Sequence, residues 1–274
     1  FSHHLLIHLK KTNESILRDG TWLYMRDILH QNDCLEVTLT ESEPAPHFLP
    51  TQLSFSVVYE DEDILVVNKP AGMPIHPSMQ NYDNTLANAV LWYQRQVGES
   101  YPFRCMNRLD KDTTGLTILA KHALSAAILS SAVRKREIKR EYLAIVSGKT
   151  DAYGTIDAPI ARKEGSVLER CINFEKGESA ITHYKRLCYQ DGLSLLLLWL
   201  ETGRTHQIRV HMKHLGYPLI GDFLYHPDFS KISRQALHAY RLSFVHPIKK
   251  EPMVISAPLP YDMASIFPDY CNPD

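Results

Sequence analysis

The peptide NRLDKDTTG gathers Arg108, Asp110, Lys111 and Asp112 just ahead of Gly115. A stretch of strand character, LTILA at 116–120, follows at once. A carboxylate fixed at the mouth of a strand is held rigidly, as a nucleophile or a general base must be. The same peptide fits a solvated turn in which Asp112 or Thr113 caps its own backbone, and for a peptide taken alone that is the commoner case. Tyr142, in KREYLAIV, lies between a basic cluster and an apolar run. A tyrosine there can stack on a base or move a proton, or simply fill a core or an edge. Further on, ETGRTHQIRVHMKHLG contains Arg204, His206, Arg209, His211 and Lys213. With residues 206–214 helical, Arg209 shares a face with Lys213 and roughly with Thr205. A buried arginine paired with Asp110 would keep it ionised and orient it. The plainer reading is a basic surface helix.

Between residues 104 and 142 nine cations (Arg104, Arg108, Lys111, Lys121, Arg134, Lys135, Arg136, Lys139 and Arg140) face four acids, Asp110, Asp112, Glu137 and Glu141. The whole chain carries a net charge of only -1. The local excess of five positive charges, with Tyr142 beside it, suits an RNA backbone bearing a splayed base. RKREIKRE also fits an ordinary charged helix end. Other chemistries find less. Fourteen histidines are scattered, and His206, His211 and His214 lack an HExxH arrangement or a nearby acidic ligand, so no metal is expected. Five cysteines, odd in number and far apart, show neither zinc-knuckle nor dithiol spacing and fit a reducing, cytoplasmic setting. No nucleotide-binding loop is present, and no cofactor is expected. No apolar run reaches the 18 residues a membrane helix needs; LSLLLLWL, 193–200, has the length of a buried strand. FSHHLLIHLKK has no basic head before a long apolar stretch and does not read as a signal peptide.

These groups need elements to hold them. Residues 1–45 read as a small unit: a short helix at LLIHLKK, two strands about the Asp19–Gly20 turn, and a closing strand at NDCLEVTL. ESEPAPHFLP, residues 41–50, has three prolines in ten residues and reads as linker sequence, with the linker between the two units placed at 46–54. From residue 55 a second unit begins. Ser56–Tyr59 and Ile64–Asn68 form a hairpin around EDED. Thr85 caps a helix reaching Gln96. LTILA is a strand with Gly115 as pivot, HALSAAILSSAVRKR an amphipathic helix, and IKREYLAIVSGK a strand carrying Tyr142. Residues 151–182 show many turns and few strong signals. A strand pair surrounds Gln190–Gly192, HQIRVHMKHLG is a helix ending near Gly216, and ALHAYRLSFVHP is a strand. Strands and helices do not alternate regularly, which favours an α+β fold over a dinucleotide-binding domain or a barrel.

Five of these peptides, in order, resemble the blocks of the RluA/RluD-type pseudouridine synthases: VVNKPAGMPIHP, NRLDKDTTGLTILAK, KREYLAIVSG, TGRTHQIRVHMKHLGYPLIGDFLY and LHAYRLSFVHP. The resemblance covers roughly residues 55 to 260. It implies a pseudouridine synthase fold, with a central mixed, mainly antiparallel sheet and a catalytic cleft. It implies isomerisation of uridine in structured RNA without a cofactor. Asp110 matches the family's catalytic aspartate, Tyr142 its active-site tyrosine, and Arg209 the arginine that pairs with the aspartate. Arg108 matches an arginine that enters the space left by the flipped nucleotide. Arg204, Thr205, His206 and Gln207 would shape the cleft and its RNA contacts, with Lys111, Lys139 and Arg140 on the RNA-binding surface. Asn68, Lys69 and His76 would support the rim. Asn107 stands where the family most often has histidine, and any effect is expected in loop positioning or substrate contact. Residues 1–45 resemble the latter part of a ribosomal-protein-like RNA-binding module, which favours ribosomal RNA over tRNA as partner. The resemblance also implies a single working chain without an obligate protein partner. A non-catalytic RNA-binding or ribosome assembly factor is the alternative, and the trio of Asp110, Tyr142 and Arg209 argues against it.

Overall fold

The computed structural model describes residues 6, 7, 9, 11–24, 26–39, 48–268 and 270. Most of the proline-rich stretch, 40–47, lies outside them, so the expected linker is described only from residue 48 onward. Near the N-terminus a three-stranded sheet has the order β2-β1-β3, with β1 at Ile16–Arg18, β2 at Thr21–Trp22 and β3 at Leu35–Val37. The turn between β1 and β2 is the Asp19–Gly20 pair, both at positive φ (51° and 77°), the twist a two-residue hairpin requires.

The larger unit is a nine-stranded sheet. Its strands are β4 (Ser56–Glu60), β5 (Ile64–Lys69), β6 (Thr114–Ala120), β7 (Lys139–Ser147), β8 (Tyr153–Asp157), β11 (Ile181–Gln190), β12 (Leu193–Leu200), β13 (Leu237–Val245) and β14 (Pro252–Ser256). The order runs β4-β5-β6-β13-β7-β12-β11-β8, and β14 pairs with β13. All its pairings are antiparallel except β6 with β13. A short hairpin, β9 (Ile160–Arg162) and β10 (Arg170–Ile172), stands apart from this sheet. β8, β9 and β10 occupy the stretch in which sequence signals are few. Each is three to five residues long, with few buried positions, so periodicity has almost nothing to register.

Helices cover both faces. α1 (Leu86–Val97) starts at a capping box in which Thr85 and Asn88 satisfy one another, and its Leu86 and Val90 pack on Leu65, Val67 and Leu119. α2 (Ala123–Arg134) puts Leu129 against Ile64, Val66, Leu116 and Ile118. These are the alternate residues of β5, so α1 and α2 lie on opposite faces of it. α3 (Gln207–His214) packs Ile208 and Met212 on Tyr142, Leu196 and Leu198. The unbroken leucine run of β12 comes from burial on both sides: Leu196 and Leu198 face α3, while Leu193 and Leu195 join Met263, of α4 (Tyr261–Ala264), and Phe267.

The one parallel pairing of the large sheet fixes the start of β6. Gly115 there has φ +113° and lies directly against Ala239 of β13. A Cβ at this position would collide with the Ala239 backbone, its nitrogen only 2.6 Å away. Glycine is therefore required both by conformation and by space.

Candidate active site

Asp110 sits in the loop that feeds β6, and three buried side chains hold that loop. Asn107 donates to the Leu116 carbonyl at 3.0 Å and accepts from the Ile118 N–H at 2.9 Å, tying the loop back onto the strand. Lys69, the last residue of β5, donates to the carbonyls of Pro70, Met73 and Lys111 at 2.8–2.9 Å. Three acceptors use all three hydrogens of an ammonium. Burial nonetheless pushes the Lys69 pKa down to about 7, against the pull of Asp112 and Asp110. Arg234, fixed by Asp262 through bonds of 2.7 and 2.8 Å, reaches the carbonyls of Asp112 and Leu237. The side chain of Asp112 is occupied too, accepting the Gly72 N–H at 3.1 Å.

Arg209 comes from the other side. It projects from α3, 99 residues along the chain, and its Nη1 donates to Asp110 Oδ2 at 2.8 Å. Its remaining fork is taken by Asp222: Nε donates to Oδ2 at 2.7 Å and Nη2 to Oδ1 at 2.8 Å. Asp222 Oδ1 also accepts the N–H groups of Leu224 and Tyr225, so the carboxylate is anchored from two sides. The guanidinium is 2% exposed and Asp222 is 1% exposed, whereas Asp110 remains 26% open. Burial opposes the Arg209 charge, but the bonds to Asp222 and the charges of both carboxylates overcome it and raise its pKa. The rings of Phe223 and Tyr225 cover the guanidinium at 5.5 and 5.0 Å.

Asp110 and Arg209 line a cavity of about 60 Å³ with Tyr142, Arg108, Arg204, His206 and Gln207. Tyr142, paired with Leu198 across β7 and β12, is buried, and desolvation raises its phenol pKa. Arg108 is exposed at the mouth. Gln207 faces inward, holding Thr202 and the β11 backbone. His206 precedes α3 in a left-handed conformation, φ 57°, which costs a non-glycine residue roughly 1–2 kcal/mol. Its Nε2 lies 3.8 Å from Asp110 Oδ2. Among the described residues, Asp110 Oδ1 accepts no hydrogen bond, which leaves one oxygen of the carboxylate available for chemistry.

Other candidates from the sequence lie elsewhere. Thr205 lines a neighbouring cleft of about 380 Å³ with Arg162, Arg170, Lys176 and Arg204. Arg204 itself pairs with Glu178. The Lys111 and Lys139 side chains are exposed, and Arg140 lies against Gly203. Asn68 pairs with Leu116 and Ser56 in the sheet. His76 stands edge-on to Phe103, and partial enclosure and the charge of Arg108 lower its pKa. Asp222 is not among the candidates that sequence singles out: Gly-Asp looks like a turn, and nothing local tells that this carboxylate meets a helix 13 residues earlier.

Among the described residues one group has the spacing of a cation site: Asp61, Asp63 and His246. It lies at the far end of β6 from Asp110, since Lys121 N–H bonds the Asp63 carbonyl. Its Asp61 and His246 atoms are engaged by protein partners. His246 Nδ1 accepts the N–H groups of Ile248 and Lys249, so in a neutral ring Nε2 carries the proton and donates to Asp61 at 2.9 Å. Asp61 is further occupied by Lys249 and Tyr59.

The family described as RNA pseudouridylate synthase matches residues 63–214, more than half of the chain. An uncharacterized RNA pseudouridine synthase of Bacillus subtilis (strain 168), YjbO, is 38% identical over 97% of this chain and 94% of its own length. The ribosomal large subunit pseudouridine synthase D of Escherichia coli (strain K12) is 39% identical over 82% of this chain and 73% of its own. The structure of human RNA pseudouridylate synthase domain containing 1 superposes with a TM-score of 0.64 at 28% identity, covering 82% of this chain and 89% of that one. The sheet, the loop at its centre and the carboxylate–arginine pair thus belong to an enzyme of the RNA pseudouridine synthase class. Within that class the chain is a member of the RluA/RluD-type family.

Proposed function

We propose that this chain converts uridine to pseudouridine in ribosomal RNA, with Asp110 as the catalytic carboxylate. One observation carries the assignment of Asp110. Among the described residues it is the one carboxylate that lines the cavity, and it is held by a buried arginine while keeping an oxygen free. The reaction breaks the bond between uracil nitrogen 1 and the ribose, turns the base, and rejoins the ribose to carbon 5. The carbon 5 proton leaves and nitrogen 1 gains one, so atoms balance without a co-reactant. Asp110 acts on the ribose, Arg209 keeps it charged as the cleft closes, and Tyr142 stacks on the base and takes part in the proton removal. The target must leave its stack, at a cost of a few kcal/mol, and Arg108 at the mouth offsets part of this by holding the opened RNA.

Ribosomal RNA as substrate is supported by similarity to the large-subunit enzyme, while Arg162, Arg170 and Lys176 of the neighbouring cleft suit the phosphates of an RNA backbone of any kind. Residues 1–45 form a partial, ribosomal-protein-like RNA-binding module, joined by 46–54 to a catalytic domain at 55–274 that works as a single chain. The test is conversion of uridine in total RNA lacking the modification, with wild type and Asp110→Asn side by side and the positions mapped by chemical labelling. Conversion by wild type alone, in large-subunit RNA, is expected, with RNA binding largely spared in the variant. Turnover by Asp110→Asn would sink the catalytic assignment, and conversion confined to transfer RNA would sink the substrate.

A further inference from the structure

His206 combines features that a cleft-lining residue does not need. Its backbone is left-handed, and although it stands at the N-terminus of α3 its side chain caps nothing there. Instead the ring is gripped at Nδ1 by Tyr225 Oη, 3.0 Å away, with the two rings edge-on. Nε2 is thereby turned toward Asp110 Oδ2, on the wall of the cavity that Tyr142 and Arg108 share.

The proton positions are set by the next bond along. Tyr225 Oη accepts the backbone N–H of Arg170, in β10, at 2.8 Å. Burial pushes the Tyr225 phenol up to about 12, so it keeps its hydrogen at neutral pH. Among the described residues that hydrogen has one acceptor within reach, His206 Nδ1. Nδ1 is therefore an acceptor, and the neutral imidazole carries its hydrogen on Nε2. At 3.8 Å that N–H is beyond hydrogen-bond distance of Asp110. It is a fixed donor with no partner among the described residues, facing the space beside the carboxylate.

We propose that His206 is a further catalytic residue, whose Nε2–H donates to a carbonyl oxygen of the uracil lodged between Asp110 and Tyr142. This rests on the assignment of the cavity as the uridine site. When the bond at nitrogen 1 breaks, negative charge spreads from that nitrogen onto the carbonyl oxygens of the base. A donor oriented in advance stabilises that charge more than the neutral ground state. Tyr225 and the Arg170 backbone act as positioning groups: they choose the tautomer and aim the ring.

The experiment has two arms. In the first, ring nitrogen resonances of ¹⁵N-histidine-labelled protein are read without RNA. Wild type should show His206 protonated at Nε2, and Tyr225→Phe a mixture of tautomers; an Nδ1–H wild type overturns the proposal. In the second, pseudouridine formation is followed under enzyme excess in total RNA from cells lacking the enzyme, raising enzyme until the rate levels. His206→Ala should lower the limiting rate on the order of 10²-fold, with the half-saturating concentration changed less than about threefold. His206→Gln, which keeps an N–H at nearly the same reach, should recover at least about tenfold of that. A limiting rate for His206→Ala within about threefold of wild type, or a loss confined to half-saturation, overturns it. So does equal failure of His206→Gln while its melting curve stays native. Retained conversion by Asp110→Asn in the same assay would instead strike the reading of the cavity.

Discussion

Replacing Asp222 by Asn tests whether the Arg209–Asp110 pair depends on a second carboxylate. The variant has the same shape but turns an N–H₂ group toward the arginine Nε–H, donor against donor, if its oxygen keeps the bonds to Arg209 Nη2, Leu224 and Tyr225. Both partners are almost wholly buried, 2% and 1% exposed. Breaking one side of such a pair costs about 3–5 kcal/mol, because a charge is left without its counter-ion in a low dielectric. Arg209 still has Asp110, so the lower end, about 3 kcal/mol, is expected, which for a chain of this size is a melting-point loss of roughly 6–12 °C. Urea unfolding at pH 7 should give a lower midpoint with an unchanged slope. Activity should fall at least about tenfold, since a guanidinium held at position 222 through Nη2 alone can turn and no longer holds Asp110 at one angle. Asp110→Asn removes a single bond from a residue 26% open and should cost about 1 kcal/mol or less, while abolishing turnover. The two variants should therefore rank oppositely in stability and in activity. An Asp222→Asn protein within about 0.5 kcal/mol of wild type would refute the account of the buried pair.

Two more outcomes concern the loop that carries Asp110. Gly115→Ala drives a methyl into the Ala239 backbone at a positive φ, and should destabilise by about 3 kcal/mol or more, measured by urea unfolding; a loss under about 1 kcal/mol would mean β13 moves aside at little cost. Lys69 titrates near 7 when folded and near its ordinary 10.5 when unfolded. Between those values the unfolded chain holds a proton that the folded chain lacks, so this group's contribution to stability rises with pH across that window. Lys69→Met cannot titrate. Wild type should gain on it by on the order of 2 kcal/mol between pH 7 and pH 8.5, and a flat difference would show that the three carbonyls keep the amine charged.

How much of this is legible in the sequence varies by residue. The helix cap at Thr85, the hairpin turns and the strand at Leu116–Ala120 carry local signals, and local physics decides them. Asp110, Tyr142 and Arg209 stand out through block resemblance, since spacing alone leaves a solvated turn and a surface helix as the commoner readings. Asp222, Arg234 and Tyr225 are invisible because each acts through a partner distant in sequence or through backbone atoms. Charge counting is a coarse guide: Lys139 and Arg140 share a basic run, yet Lys139 is exposed while Arg140 lies against Gly203. For Lys111 the fold uses the carbonyl, and its ammonium faces solvent.

The position of β13 between β6 and β7 sets the order in which the molecule can be completed. β6 and β7 are close in sequence but are not neighbours in the sheet; they wait for a strand that leaves the ribosome roughly 90 residues after β7. Pairings of such long range close late, because loop entropy is lost before their contacts form. Until Leu237–Val245 inserts, the loop bearing Asp110 lacks the Ala239 backbone and the Arg234 clamp against which it is set. The nascent chain thus has its carboxylate early and its working site only once Leu237–Val245 has been made, so products truncated before that strand should be inert.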